Sequence, residues 1–104
     1  MPPPLEVECL KALWDLGEGT VHGVMGALGE RKLKYTTVMT LLDRLEKRGA
    51  VGRRKVGRSF VYSPRLSAEE LRRSAVKDLV DRLFDGDGDA LKRFLISPNG
   101  SAQD

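Results

Sequence analysis

The sequence predicts a mainly α fold with a small β-hairpin: a winged helix-turn-helix followed by a C-terminal helical dimerisation element. Three observations predict it. Before residue 50, apolar residues recur at three- and four-residue spacing in short segments separated by Gly17 and Gly29. The period then changes: "AVGRRKVGRSFVYSP" alternates β-branched, aromatic and basic residues about one glycine-centred turn, Val56-Gly57-Arg58. Beyond it, "SAEE" at Ser67–Glu70 has the form of a capping box and opens a longer amphipathic stretch.

The first helix is carried by "LEVECLKALWDLGEG", with Val7, Leu10, Leu13, Trp14 and Leu16 apolar and Gly17 closing it. Thr20 is placed to cap a short second helix whose apolar stripe is Val21, Val24, Met25 and Leu28, with Gly29 as its stop. "ERKLK" connects to a third helix. Thr36 or Thr37 caps it, and Val38, Leu41, Leu42 and Leu45 supply its buried face. Lys47 and Arg48 suit its C-terminus, and Gly49 ends it. The hairpin strands are expected at about Val51–Lys55 and Ser59–Tyr62, with Pro64 opposing extension of the second. The fourth helix runs from about Ala68 to Phe84, with Leu71, Ala75, Val76, Leu79, Val80, Leu83 and Phe84 as its stripe. Gly86 and Gly88 break it. "DALKRFL" adds one or two helical turns with Leu91, Phe94 and Leu95 apolar, Pro98 stops them, and a disordered tail is expected. The domains so read are a winged helix at 1–66, a helical dimerisation element at 67–96 and the tail at 97–104.

Totals narrow the function. A chain of 104 residues, 40% hydrophobic and 32% charged, suits one small globular domain with an accessory element. No apolar run approaches a membrane span, and "MPPPLEVE" lacks the pattern of a secretory signal, so a cytoplasmic location is expected. A single cysteine, Cys9, forms no internal disulfide and no metal cluster; it reads as a small buried apolar residue. His22 is the one histidine, without companions for a metal site, and a phosphate or solvent contact suits it better. Neither a cofactor nor a catalytic residue is expected: phosphate-cradling loop, activated nucleophile and paired carboxylates are all lacking. Trp14, in the middle of an apolar helix face, reads as core. Charge is uneven. Residues 1–66 hold 12 Lys and Arg against 7 Asp and Glu, whereas residues 67–104 hold 6 against 8. The basic first part suits a polyanion.

In helix-turn-helix proteins the second helix of the motif enters the DNA major groove and its N-terminal residues meet base edges. Here that helix opens with Thr36, Thr37 and Thr40, where β-branching costs helix stability. Each threonine offers a hydroxyl to base donors and acceptors and a methyl to thymine. The plainer alternative is that Thr36 and Thr37 cap and Thr40 is an exposed filler. Met39 has no donor, so it senses shape or a thymine methyl, and A·T contacts are expected near the helix start. Tyr35 either reaches a phosphate or staples the helix start. Between Arg44 and Arg58 lie seven basic residues and one acid, Glu46. Strand alternation places Arg54 on the face opposite Arg53 and Lys55, and Arg58 near the wing tip is the main expected wing contact. The stripe Ala75–Phe84 either folds back on its own chain or, as favoured, pairs with a second copy. The rival function is a winged-helix protein-interaction module without specific DNA binding.

The segments "CLKALWDLGEGTVHGVMGAL", "YTTVMTLLDRLEKRGAVGRRKVGRSFVYSP" and "LVDRLF" resemble the penicillinase-repressor family of bacterial transcription factors, the BlaI/MecI/CopY type, from about Leu5 to Leu95. "YTTVMTLLDRL" together with "GRSFVYSP" is the specific part. The resemblance implies a homodimeric repressor on an inverted-repeat operator of double-stranded DNA. It implies base contacts from Thr36, Thr37, Met39 and Thr40. It implies phosphate contacts from Arg44 and wing residues such as Arg58, and subunit pairing by the C-terminal helices. With the reading of the residues, the candidates are Tyr35, Arg44, Arg53, Arg54 and Arg58 for phosphate and wing, and Ala75, Val76, Leu79, Val80, Leu83, Phe84, Leu91, Phe94 and Leu95 for the dimer. Family members typically answer to a membrane-bound zinc metalloprotease sensor, whose cleavage of the repressor weakens the dimer. The cleaved members carry Asn-Phe at the scissile bond, where this chain has Arg93-Phe94. The dimer element also looks shortened after "ISPNGSAQD", and the cysteine-rich end of the copper-responsive branch is absent.

Overall fold

A computed structural model describes residues 2–97. The elements are α1 (Pro4–Leu16), α2 (Val21–Ala27), a 3-10 turn at Gly29–Arg31, α3 (Tyr35–Lys47), β1 (Val51–Val56), β2 (Ser59–Pro64), α4 (Ala68–Leu83) and α5 (Gly88–Ile96). Five helices and one antiparallel hairpin make the mainly helical winged-helix arrangement that the sequence predicts. Two compact units emerge, Pro2–Glu70 and the chain from Leu71 onward. The tail expected at 97–104, with its stop at Pro98, lies outside the described residues apart from Ser97.

In the first unit, α1 opens on prolines, whose missing N–H groups cost nothing there, and closes at Gly17 with φ 84°. The core is Cys9, Leu10, Leu13, Val24, Val38, Leu42, Leu45, Val51 and Tyr62, all essentially sealed from solvent. Each of the larger apolar side chains contributes about 1.5–3 kcal/mol on burial. Leu16, on the last turn of α1, stays exposed. Trp14 is half-buried rather than central: its indole N–H donates to the Leu66 carbonyl at 2.8 Å, so the ring spans core and rim. Thr20 caps α2 as expected, its hydroxyl oxygen accepting the Gly23 N–H at 3.1 Å.

The cap expected on α3 is absent. The helix begins at Tyr35 with Lys34 in the N-cap position, and no side chain caps it. Thr36 and Thr37 therefore sit inside the first turn, where their own backbone is already helical and their hydroxyls cannot close the end. The buried face is Val38, Leu41, Leu42 and Leu45, as the spacing predicts.

The hairpin extends slightly beyond the expected strands, pairing Val51 with Pro64 and Val56 with Ser59. Pro64 is tolerated because it is the last residue of β2. Gly57, at φ 61°, supplies the left-handed residue of the two-residue turn. On its other side β2 pairs with Gly19: N–H and carbonyl of Gly19 and Tyr62 exchange bonds of 2.9 and 2.8 Å. That link fastens the wing to the α1–α2 connection.

At the end of the first unit, where α4 starts, the capping box forms as predicted. The Ser67 N–H donates to Glu70 Oε1 at 2.9 Å, and the Glu70 N–H donates to Ser67 Oγ at 3.0 Å. Helix α4 ends at Leu83, and Asp85 and Gly86 both adopt positive φ beyond it. Gly88, expected to break the helical pattern with Gly86, instead begins α5. The reason is Asp87, whose Oδ1 accepts the N–H groups of Asp89 and Ala90 at 3.0 and 3.1 Å. The Phe84 and Phe94 rings meet with centroids 5.7 Å apart. Of the apolar stripe, Val76, Leu79, Leu83, Phe94 and Leu95 are exposed, Leu83 and Leu95 each by 70%. Ala75, Val80, Phe84 and Leu91 are half-buried.

Candidate nucleic-acid interface

Helix α3 has two faces. Opposite its buried leucines stand Tyr35, Thr36, Met39, Thr40 and Arg44, all exposed, with Thr37 half-buried beside them. The Thr40 hydroxyl donates to the Thr36 carbonyl one turn back at 2.9 Å. With its proton so engaged, the Thr40 oxygen is left as an acceptor. A surface of short acceptors and apolar groups is thus held on a helix whose other side is anchored in the core.

The hairpin sets out its cations by alternation. Arg54 forms a two-pronged pair with Glu18, Nη1 to Oε1 at 2.8 Å and Nη2 to Oε2 at 2.9 Å. That contact holds the Glu18 carboxyl below its usual range. On the other face, the Arg53 guanidinium lies 4.4 Å from the Phe60 ring centroid and 3.6 Å from Asp43 Oδ1 on α3. Lys55 Nζ is 5.8 Å from the same ring. So Arg53 and Lys55 share a face and Arg54 takes the other, as alternation predicts. Arg53 and Arg54 already have carboxylate partners within the chain. Among the described residues neither Arg44 nor Arg58 has an ion-pair partner, and both stand exposed.

Several residues that matter here were not singled out from sequence. Glu18 and Asp43 orient two of the wing arginines. Phe60 carries the cation-facing ring, and the register offered a clue, since a two-residue turn sets Phe60 directly opposite Lys55. Glu6, 1% exposed, accepts from Arg48 Nη1 at 2.7 Å and so ties α1 to the end of α3. A cleft joins the elements on the α3 outer side: Thr20 and His22 of α2, Tyr35 and Met39 of α3, and Arg58, Ser59, Phe60 and Tyr62 of the hairpin line it. Among the described residues no cluster of His, Cys, Asp and Glu is arranged to hold a metal. No described helix is long and apolar enough to cross a membrane.

Comparison with known proteins agrees with this geometry. The family model for the penicillinase repressor matches residues 3–104. The transcriptional regulator BlaI of Mycobacterium tuberculosis is 34% identical over 110 aligned positions, covering 88% of this chain and 80% of that protein. The penicillinase repressor of Bacillus licheniformis is 28% identical over 82 residues; the match covers 78% of this chain and 64% of that relative, less than two thirds of its length. Among solved structures, the DNA-binding domain of the repressor BlaI, determined in solution, aligns with a TM-score of 0.58 at 30% identity. That alignment covers 65% of this chain and 84% of the other.

Proposed function

The chain belongs to the penicillinase repressor family, and from that premise we propose that it is a sequence-specific transcriptional repressor that occupies an inverted-repeat operator as a homodimer. The observation that carries the reading is the outer face of α3. Thr36, Thr37, Met39 and Thr40 project from a helix anchored on its other side, flanked by the unpaired guanidiniums of Arg44 and Arg58. Base edges are read by the first set and phosphates are met by the second, with Tyr35, Arg53 and Arg54 beside them. Thr40, acting as an acceptor, favours an exocyclic amine such as adenine N6, and Met39 favours a thymine methyl.

Two recognition helices related by a two-fold axis would enter major grooves about 34–36 Å apart, or a multiple of that spacing. The exposed Val76, Leu79, Leu83, Phe94 and Leu95 on α4 and α5, with the half-buried Ala75, Val80, Phe84 and Leu91 among them, support pairing with a second copy. Because one half-site binds weakly, separating the subunits releases DNA. A membrane-bound metalloprotease sensor is the partner that the family resemblance suggests for that step.

A binding selection from random duplexes with the full chain tests the reading. One inverted-repeat motif should be enriched. Thr40→Ala should change preference at a few positions by about 1–3 kcal/mol each. Arg58→Ala should weaken all sequences alike and flatten the salt slope by about 2, about 1 for each subunit of the dimer. Absence of both an enriched motif and salt-sensitive binding would instead favour a protein-binding winged helix.

A further inference from the structure

We propose that His22 is a proton-dependent phosphate contact: the cleft between α2, α3 and the wing receives a backbone phosphodiester, and the imidazolium adds a charge to that contact. The inference rests on the DNA-binding reading above. Four observations lead to it. His22 is exposed, so it is not a core histidine satisfied by burial. Its ring is nevertheless held, lying 4.9 Å from the Tyr35 ring at an interplanar angle of 44°. The cleft it lines is lined as well by Arg58 and by the hydroxyl-bearing residues Thr20, Tyr35 and Ser59. Among the described residues no carboxylate lines it, so nothing there repels an anion or competes for the imidazole proton.

With the first turns of α3 in the major groove and the wing alongside, the bordering backbone would run past the cleft that His22, Tyr35 and Arg58 line together. The titratable and charged groups facing it are Tyr35 from α3 and Arg58 and Tyr62 from the hairpin. An anion seated between Arg58 and His22 favours the imidazolium, so protonation and DNA binding strengthen each other. Histidine is the side chain whose ordinary charge change falls between pH 5 and 8, whereas a phosphodiester stays anionic throughout. Each added phosphate contact releases further counterion and steepens the salt dependence by about 0.9 on a log–log plot.

The test uses the full chain and a duplex recovered by the binding selection, in filter binding at several salt concentrations at pH 6 and pH 8. Wild-type protein should bind more tightly at pH 6, with a salt slope steeper by about 1.8 than at pH 8, about 0.9 for the His22 of each subunit of the dimer. His22→Gln should give the shallower slope at both pH values, with an unchanged melting temperature because the residue is exposed. A wild-type slope indifferent to pH, or a pH difference that survives in His22→Gln, overturns the proposal while leaving the repressor reading intact. Failure of the wild type to bind any duplex in a salt-dependent way overturns both.

Discussion

Glu6 shows how a single side chain can look like surface in sequence and act as structure. It is the one buried charged residue among those described, and burying a lone carboxylate costs several kcal/mol. Arg48 offsets that cost through its 2.7 Å contact, although its own guanidinium stays half exposed. Nothing local could reveal the pair, since the partners are 42 residues apart. Arg48 adds to the basic run between Arg44 and Arg58 but points inward. Arg48→Ala should therefore cost about 2 kcal/mol in urea unfolding at neutral pH, less than a fully buried pair. It should leave the salt slope of DNA binding unchanged, and much of the loss should be recovered in the double variant with Glu6→Gln. Cys9, by contrast, is legible: an apolar-face cysteine that is indeed sealed. Burial, then the Glu6 and Glu8 carboxylates, push its thiol up from 9.0 to about 11. The folded state thus favours the neutral thiol. That contribution is complete below pH 9, where both states are protonated, and fades as pH rises through about 11. Stability measured across pH 9–11 should fall, and Cys9→Ala should flatten the fall.

At the scale of elements, what the sequence reveals depends on how far apart the interacting groups lie. The buried face of α3 was readable because Val38, Leu41, Leu42 and Leu45 repeat at helical spacing. The capping box of α4 was readable because all its donors and acceptors lie within Ser67–Glu70. Ser67→Ala should cost about 1 kcal/mol. It should also raise hydrogen exchange at the Glu70 amide, which donates to Ser67 Oγ; unchanged exchange would show that the cap does not hold the helix end. The N-cap position of α3 falls at Lys34, two or three residues before the cap expected at Thr36 or Thr37; a threonine inside a first turn and a threonine capping it look alike in sequence. The pairing of Gly19 with Tyr62 was invisible for a different reason: it joins a connection with no strand pattern to a distant hairpin. The cleft around His22 depends on that same closure, so its components were noticed singly but not together.

For the whole molecule, the issue is how exposed apolar surface and charge are apportioned. The unit from Pro2 to Glu70 buries a complete core, whereas the helices beyond it present Val76, Leu79, Leu83, Phe94 and Leu95 to solvent. Covering a side chain of this kind is worth about 1.5–3 kcal/mol, so a second copy of the same surface has much to gain. Sedimentation equilibrium should find a dimer. Leu79→Asp should yield a monomer with an intact winged helix and roughly 100-fold weaker operator binding, the loss expected when two linked half-sites become independent. A monomeric wild type that still binds tightly would remove dimerisation from the mechanism. The charge division runs the same way: residues 1–70 hold 12 Lys and Arg against 9 Asp and Glu, residues 71–104 hold 6 against 6, and the basic excess lies where the outer face of α3 and the wing are.

The bond from the Trp14 indole to the Leu66 carbonyl also makes this chain its own optical reporter. It has a single tryptophan, and that ring is pinned at 2.8 Å to the residue where the wing has ended and α4 has yet to begin. Indole emission excited selectively therefore senses the melting of the first unit, while far-ultraviolet dichroism is weighted by every helix. If the two curves separate on heating, the helices beyond Leu71 melt on their own schedule. If they coincide, the units unfold as one cooperative body.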